Sequence, residues 1–379
     1  MIILYGSINS YSVEHGRAKQ IYHRLAEKQN VNITWVDPPE PIVFRNVRYG
    51  KTFLQNLVRP VGITADNINT YAPVGLNFYL SCKLAWLITE AWLNRFVSKL
   101  ILTPDLIIVA SPIFLSYAKK CREKGIPLIY DCRDFFAKWP HVGRYARSKE
   151  EELIRLSNLV VVPSFALADE LTSRHGEVSI SVIPNGVPES MVGGCQSIDK
   201  KSRPQIGYIG FMGSFVDLQL LIEIAKIKQD WDFVFVGDYS QIRKLVNRAP
   251  ANCKFLGEVR PDQIEGIVCD LDVGTIPFVC SELTDVVFPI KLVEYLGKGK
   301  PVVSTPLREV DRICGDLVYF AESKDGWIHC LEAALADKRE REFIDFARKY
   351  TWEDLTERYY AEIGKVLAEQ SGRATWGGD

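Results

Sequence analysis

No stretch of this chain reaches about 18 consecutive apolar residues, the length a helix needs to cross a bilayer, so no membrane span is expected. The opening MIILYGSINS has no basic n-region, and its apolar run is too short for a signal peptide. A cytoplasmic location is expected on those grounds. A bias of charge is missing as well: Lys plus Arg number 46 and Asp plus Glu 47. Net charge therefore names no partner, and nucleic acid is a poor one. The nine Cys include no CxxC pair and join no Cys/His cluster, which argues against a zinc site. Reduced, buried thiols are the expected state. No Asp-x-Asp motif stands in a suitable loop. The DLD at Asp270 to Asp272 opens a strand-like run and reads as structural, so no metal is expected. The dinucleotide fingerprint GxGxxG is absent, and so are low-complexity segments and convincing repeats.

What is present is alternation. The 379 residues, 47% of them apolar and 25% charged, leave room for two ordinary globular domains. Short apolar runs recur along the whole chain: IILY, VNITWV, LIIVA, PLIYD, LVVVP and SVIP, then IGYIG, DFVFVG, KFLG, LDVGTIP, PVVST and LVYF. Amphipathic segments such as GRAKQIYHRLAEKQ, SFALADELTSRHG and DLQLLIEIAKIKQ lie between them. Strands apolar on both faces, joined by helices, imply parallel sheets. One sheet that large is not expected. The fold class is therefore α/β, with two doubly wound, Rossmann-like domains facing a cleft. The aperiodic ESMVGGCQSIDKKSRP marks the break. The expected divisions are a domain over 1–186, a linker over 187–203 and a domain over 204–350. A C-terminal helix over 351–379 is expected to pack back toward the first domain.

Two stretches in the second half carry chemistry. PQIGYIGFMGS runs a strand into Gly210, Met212 and Gly213 and then toward a helix near Asp217. Such a turn lets backbone N–H groups approach a phosphate, although tight-turn glycines occur in any α/β domain. FPIKLVEYLGKGKPVVSTP places Lys291 and Glu294 on one face of a helix that begins after Pro289. A Lys there suits a phosphate, and a Glu accepts hydrogen bonds from a ribose diol. A plain surface ion pair is the competing reading. GKGKP then ends the helix so that VVST can enter the sheet.

The second stretch resembles the donor-binding motif of GT-B glycosyltransferases, in particular GT4 relatives and teichuronic acid glycosyltransferase-like enzymes. Every position of their pattern P-x-K-L-x-E-Y-x-x-x-G-x-P-V-V is matched. GRAKQIYHRLAEKQNVNITWVDPP, LIYDCRDFFAKWP, LSNLVVVPSFALADEL with VIPNGV, and FARKYTWEDL extend the resemblance along the chain. It implies a metal-independent transferase without cofactor, taking a nucleotide-diphosphate sugar, UDP-sugar first, in surface polysaccharide or glycan biosynthesis. The implied donor site is Gly210, Met212, Gly213, Glu258, Arg260, Pro289, Lys291, Leu292 and Glu294. The acceptor, a saccharide or lipid-linked saccharide, would belong to the first domain. Two departures stand out: Val286 occupies the place of a first Glu in many GT4 members, and GSFVDL replaces their basic residues after the glycine turn.

These departures resemble xanthan-type glucuronosyltransferases, which implies inversion and a general base. Asp134 of YDCRDFF aligns with their base, while His15 and Glu14 are rivals and Asp131 is expected to cap the loop or to bind Arg133 or a backbone N–H. Arg45, Arg48, Lys51 and Arg59, with Phe44, Tyr49 and Phe53 and no acidic residue from Pro41 to Ala65, suit an anionic membrane surface. The aromatic-rich FYLSCKLAWLITEAWLNRFVSKL follows. Peripheral attachment at an inner membrane face is the resulting expectation, beside an ordinary packed helix and solvated loop. Two other functions share the architecture. A sugar-nucleotide 2-epimerase would need more acid/base groups than five scattered His suggest, and a non-catalytic two-domain binding protein usually needs export.

Overall fold

The computed structural model of the chain describes residues 1–9, 11, 16–41, 63–65, 67–76, 79–100, 103–139, 142–195 and 201–374. They form two compact units. One joins Met1–Ile183 with the chain from Leu355 onward, and the other runs from Pro184 to Asp354.

The strands of the first unit are β1 (Ile2–Gly6), β2 (Asn32–Val36), β3 (Glu40–Pro41), β4 (Ile63–Ala65), β5 (Ile68–Tyr71), β6 (Val74–Gly75), β7 (Leu106–Val109), β8 (Leu128–Asp131), β9 (Leu159–Val162) and β10 (Ile180–Val182). An eight-stranded sheet takes the order β10-β9-β8-β7-β1-β2-β5-β4, and β3 pairs with β6 apart from it. Only β4 runs antiparallel in the large sheet. The connecting helices are α1 (Arg17–Ala26), α2 (Lys83–Leu100), α3 (Leu115–Glu123), α4 (Arg144–Leu156) and α5 (Phe165–His175). β7, β8 and β9 are buried at every residue, as runs that are apolar throughout require. Ser164 starts α5 by accepting the Leu167 N–H at 3.1 Å.

The second unit holds β11 (Gln205–Ile209), β12 (Asp232–Val236), β13 (Cys253–Gly257), β14 (Val273–Ile276), β15 (Val302–Ser304) and β16 (Val318–Phe320). They make one parallel six-stranded sheet, β13-β12-β11-β14-β15-β16. Its helices are α6 (Leu218–Ile227), α7 (Arg243–Val246), α8 (Pro261–Cys269), α9 (Ile290–Gly297), α10 (Arg308–Cys314), α11 (Lys324–Leu335) and α12 (Glu340–Ala347). The last helix, α13 (Trp352–Ala374), belongs from Leu355 onward to the first unit, where its buried Tyr359 stands 3.1 Å from the hydroxyl of Tyr22. The strand order reverses between β11 and β14, because β12 lies on the far side of β11 and β15 on the far side of β14. Ligands of open α/β sheets bind outside the carboxyl ends of strands at such a reversal.

Each unit is thus doubly wound, as the alternation of strand and helix signals requires, and every apolar run quoted above lies in a strand. The short strands β3 to β6 had no such signal. β5 shows why: its four residues, INTY, carry the adjacent polar pair Asn69 and Thr70 and alternate between buried and half-buried, so no apolar run marks it. One expectation is corrected. Cys195 and Cys269 are joined as a disulfide with their Cα atoms 5.5 Å apart, so the thiols are not all reduced. Their sequence separation of 74 gave no spacing signal; the fold brings the linker segment and the end of α8 together.

Candidate functional site

At the reversal in the second unit, glycine backbones join the carboxyl ends of three strands. Gly210 has φ +152°, and its N–H donates to the Val236 carbonyl at 2.8 Å. Gly237, at φ +129°, donates to the Gly257 carbonyl at 2.8 Å. A Cβ on Gly237 would lie 2.0 Å from the Gly210 oxygen, so only hydrogen fits. Met212 is fully buried, and its N–H donates to the Asp238 carbonyl at 3.0 Å, which makes it a packing residue of the turn. Gly213 lies under the Phe211 ring, where a Cβ would come within 2.5 Å. This glycine therefore makes room for an aromatic ring. The helix after the turn begins at Leu218, and the Asp217 carboxylate accepts the Leu220 N–H at 3.0 Å. That helix start is already served by an anion of its own chain.

The loop after β14 leads to a different helix start. It is laced to the glycine turn by Asp217 N–H to the Pro277 carbonyl at 2.7 Å and Val279 N–H to the Phe215 carbonyl at 2.8 Å. Pro289 is the extended cap residue of α9, with no side chain bonded to the helix start and no acidic residue in the first turn. Lys291 Nζ stands 2.8 Å from Glu294 Oε2, with the two side chains 22% and 13% exposed. Leu292 is fully buried and anchors the opposite face. Tyr295 decides where the helix lies. Its ring rests on Gly274, where a Cβ would come within 2.3 Å, and its hydroxyl accepts the Ile209 N–H at 2.9 Å. Ile209 immediately precedes Gly210, so one buried tyrosine joins the Lys291–Glu294 helix to the glycine turn across 86 residues of sequence. The motif contained this Tyr, but nothing in its spacing revealed its partner.

The lysines of GKGK serve the fold. Lys298 is buried and donates to the Ser190 carbonyl and to Glu265 Oε1, each at 2.6 Å. Lys300 donates to the Cys269 carbonyl at 2.7 Å, and burial lowers its pKa. Asp272 accepts the Gln205 N–H at 2.8 Å, and Asp270 pairs with Lys201. Glu258 and Arg260 follow β13 and are exposed. Arg260 holds Asp262 through two bonds of 3.0 and 3.1 Å at the start of α8.

In the first unit Asp134 follows β8 with its side chain exposed, and its carbonyl accepts the Phe136 N–H at 2.8 Å. Asp131, three residues earlier, is buried beside the Arg17 guanidinium at 3.7 Å and the Tyr22 hydroxyl at 3.4 Å. Arg17 was not foreseen as its partner. Behind this edge, burial pushes the Glu150 carboxyl up to about 7, and it accepts the Tyr130 hydroxyl at 2.7 Å. Glu150 was missed, although the buried spacing of Ala146, Glu150, Leu153 and Ile154 places it on the inner face of α4. His15, Glu14, Arg45, Arg48, Lys51 and Arg59 lie outside the described residues.

The Glycosyltransferase Family 4 model matches residues 24–190, and the model of Glycosyl transferases group 1 matches residues 203–337. A curated relative is carried under the name teichuronic acid biosynthesis glycosyltransferase TuaH in Bacillus subtilis (strain 168). It is 27% identical over 215 residues, covering 51% of this chain and 53% of that protein, so the likeness spans about half the length of each. Among solved structures, the sucrose-phosphate synthase of Thermosynechococcus elongatus superposes with a TM-score of 0.73 at 12% identity, covering 97% and 99% of the two chains. The α,α-trehalose 6-phosphate synthase of Burkholderia multivorans gives 0.70 at 13% identity, covering 100% and 98%. An E. coli trehalose-6-phosphate structure bound with UDP-2-fluoro glucose gives 0.71 at 12%, covering 97% and 99%. At these identities the structural likeness establishes a shared two-domain fold.

Proposed function

Because this chain belongs to the GT4-like glycosyltransferases, we propose that it moves a sugar from a nucleotide-diphosphate sugar, a UDP-sugar first, onto a saccharide or lipid-linked saccharide acceptor in surface polysaccharide or glycan biosynthesis. The observation that carries this reading is the Lys291–Glu294 pair at the start of α9, tied by Tyr295 to the glycine turn at the strand reversal. A leaving nucleoside diphosphate develops negative charge, and the positive end of a helix dipole with a first-turn lysine stabilises it. The start of α9 has no side-chain cap, whereas that of α6 is taken by Asp217. Glu294 would accept the ribose hydroxyls, held in place by Lys291 until the diphosphate draws the ammonium away. These groups supply the positive charge without a metal, so activity is expected to persist in chelator.

An inverting transfer fits the exposed carboxylate of Asp134. It would take the acceptor hydroxyl proton as the new oxygen–carbon bond forms and the anomeric carbon–phosphate oxygen bond breaks. An acceptor at a membrane face would suit the basic sequence Arg45 to Arg59, which lies outside the described residues, and would also suit the outer face of α2. Leu84, Leu87 and Trp92 are exposed there beside Arg95 and Lys99, while the single acidic residue of α2, Glu90, is buried against Trp86 and Ser116. Among the described residues no helix is long and apolar enough to cross a membrane.

A thermal-shift panel of UDP-, GDP- and dTDP-sugars tests the donor reading. A ligand at about a hundred times its dissociation constant adds roughly 2.7 kcal/mol of stability. Glu294→Ala should abolish most of that shift while the free protein melts as before, and an unchanged nucleotide affinity in this variant would sink the reading.

A further inference from the structure

Phe288 stands directly before Pro289, the cap of α9, and two stretches distant in sequence converge on it. Both come from segments near the points where the chain passes between its units, at Ile183–Pro184 and Asp354–Leu355. From the first, the Asn185 side-chain amide donates from Nδ2 to the Phe288 carbonyl at 3.2 Å. From the second, the Tyr350 ring packs on the Phe288 ring with centroids 5.3 Å apart. The two stretches are also bound to each other: Val187 N–H donates to the Tyr350 carbonyl at 2.9 Å, and Trp352 N–H donates to the Val187 carbonyl at 3.0 Å. Phe288 itself is buried. All of these residues belong to the second unit.

The chemistry at this point is one-sided. A carbonyl oxygen only accepts, so the amide must present its nitrogen. Proline lacks an N–H and holds the preceding residue extended, so the direction of the Phe288 carbonyl sets where Pro289 and the first turn of α9 begin. We propose that Asn185 is a positioning residue for the donor site, with Tyr350 as its support: together they hold the Phe288–Pro289 step so that the first-turn N–H groups, Lys291 and Glu294 meet the nucleoside diphosphate. The assignment rests on the donor-site reading given above. It also gives the two passages of the chain a direct hold on the diphosphate-binding end of α9.

The test compares Asn185→Asp with Glu294→Ala by UDP, GDP and dTDP titration and by steady-state kinetics with the sugar donor the panel selects. Asp matches Asn in size but replaces the donor with an acceptor facing the carbonyl. The expected result is a rise of about tenfold in the nucleotide dissociation constant and the donor KM, from loss of the bond and an unsatisfied buried carbonyl. Turnover at saturating donor should change less than about threefold, and the melting temperature should fall by no more than the few degrees that one lost hydrogen bond and one unsatisfied carbonyl account for. If Glu294→Ala loses nucleotide while Asn185→Asp binds it normally, the positioning role is overturned and the donor reading stands. If neither variant loses nucleotide, both fall. If Asn185→Asp loses more than those few degrees together with turnover and affinity, Asn185 is a structural residue and the assignment is wrong. Should that variant fail to fold, Tyr350→Leu removes the supporting ring and leaves the amide in place. A rise in donor KM at unchanged turnover supports the assignment, and unchanged kinetics overturn it.

Discussion

Asp134 and Asp131 lie three residues apart at the carboxyl end of one strand, yet their surroundings assign them different work. Asp131 is buried with Arg17 and the Tyr22 hydroxyl, so its removal would take a carboxylate from beside a buried guanidinium. Asp134 is exposed. Asp134→Asn is therefore expected to lower turnover by about a hundredfold or more, the usual contribution of a positioned base, with nucleotide affinity nearly unchanged. NMR of the product should show the anomer inverted relative to the donor. A retained anomer, or near-normal turnover in the Asn variant, removes Asp134 from the chemistry and leaves His15 and Glu14 as candidates. The tandem of like residues was legible in YDCRDFF, but which one is buried depends on Arg17, contributed by α1.

At the scale of elements, α9 depends on β14 beneath it. The Tyr295 ring sits where a side chain on Gly274 would project, and only from there does its hydroxyl reach the Ile209 N–H. Gly274→Ala puts a methyl group 2.3 Å from that ring. Overpacking of this kind costs about 1–3 kcal/mol, and here the helix is the part free to shift. The variant is expected to melt lower and, because α9 moves off the glycine turn, to bind nucleotide more weakly than its lost stability alone accounts for. Denaturant melts with and without UDP separate the two effects: an equal ligand shift in variant and unmodified protein would show that α9 had not moved. The helix itself was legible from PIKLVEYLG, through its Pro start, its apolar face and its glycine-rich end. Its tie to β11 was not, because a backbone N–H leaves no mark in a sequence.

For the whole molecule, the membrane reading joins a segment known only from its sequence to a described helix face. Charge reversal at Arg45, Arg48 and Lys51 is expected to weaken binding to vesicles containing anionic lipid and to make that binding less salt-sensitive. If the unmodified protein fails to sediment with such vesicles at low salt, the acceptor is not met at a membrane through this surface. The amino-acid order alone was enough to determine two doubly wound units, the strands of both parallel sheets that are apolar throughout, and the α9 motif with its lysine and glutamate. Burial on both faces and helical period are local properties, written in neighbouring residues. Tertiary structure alone decided the rest. It turned Met212 and Gly213 to packing, gave Lys298 and Lys300 to backbone carbonyls, joined Cys195 to Cys269, and bonded the Tyr295 hydroxyl to the Ile209 N–H and the Asn185 amide to the Phe288 carbonyl. Each of these outcomes depends on a partner brought near by the parallel sheet, whose crossovers join residues that no local pattern relates.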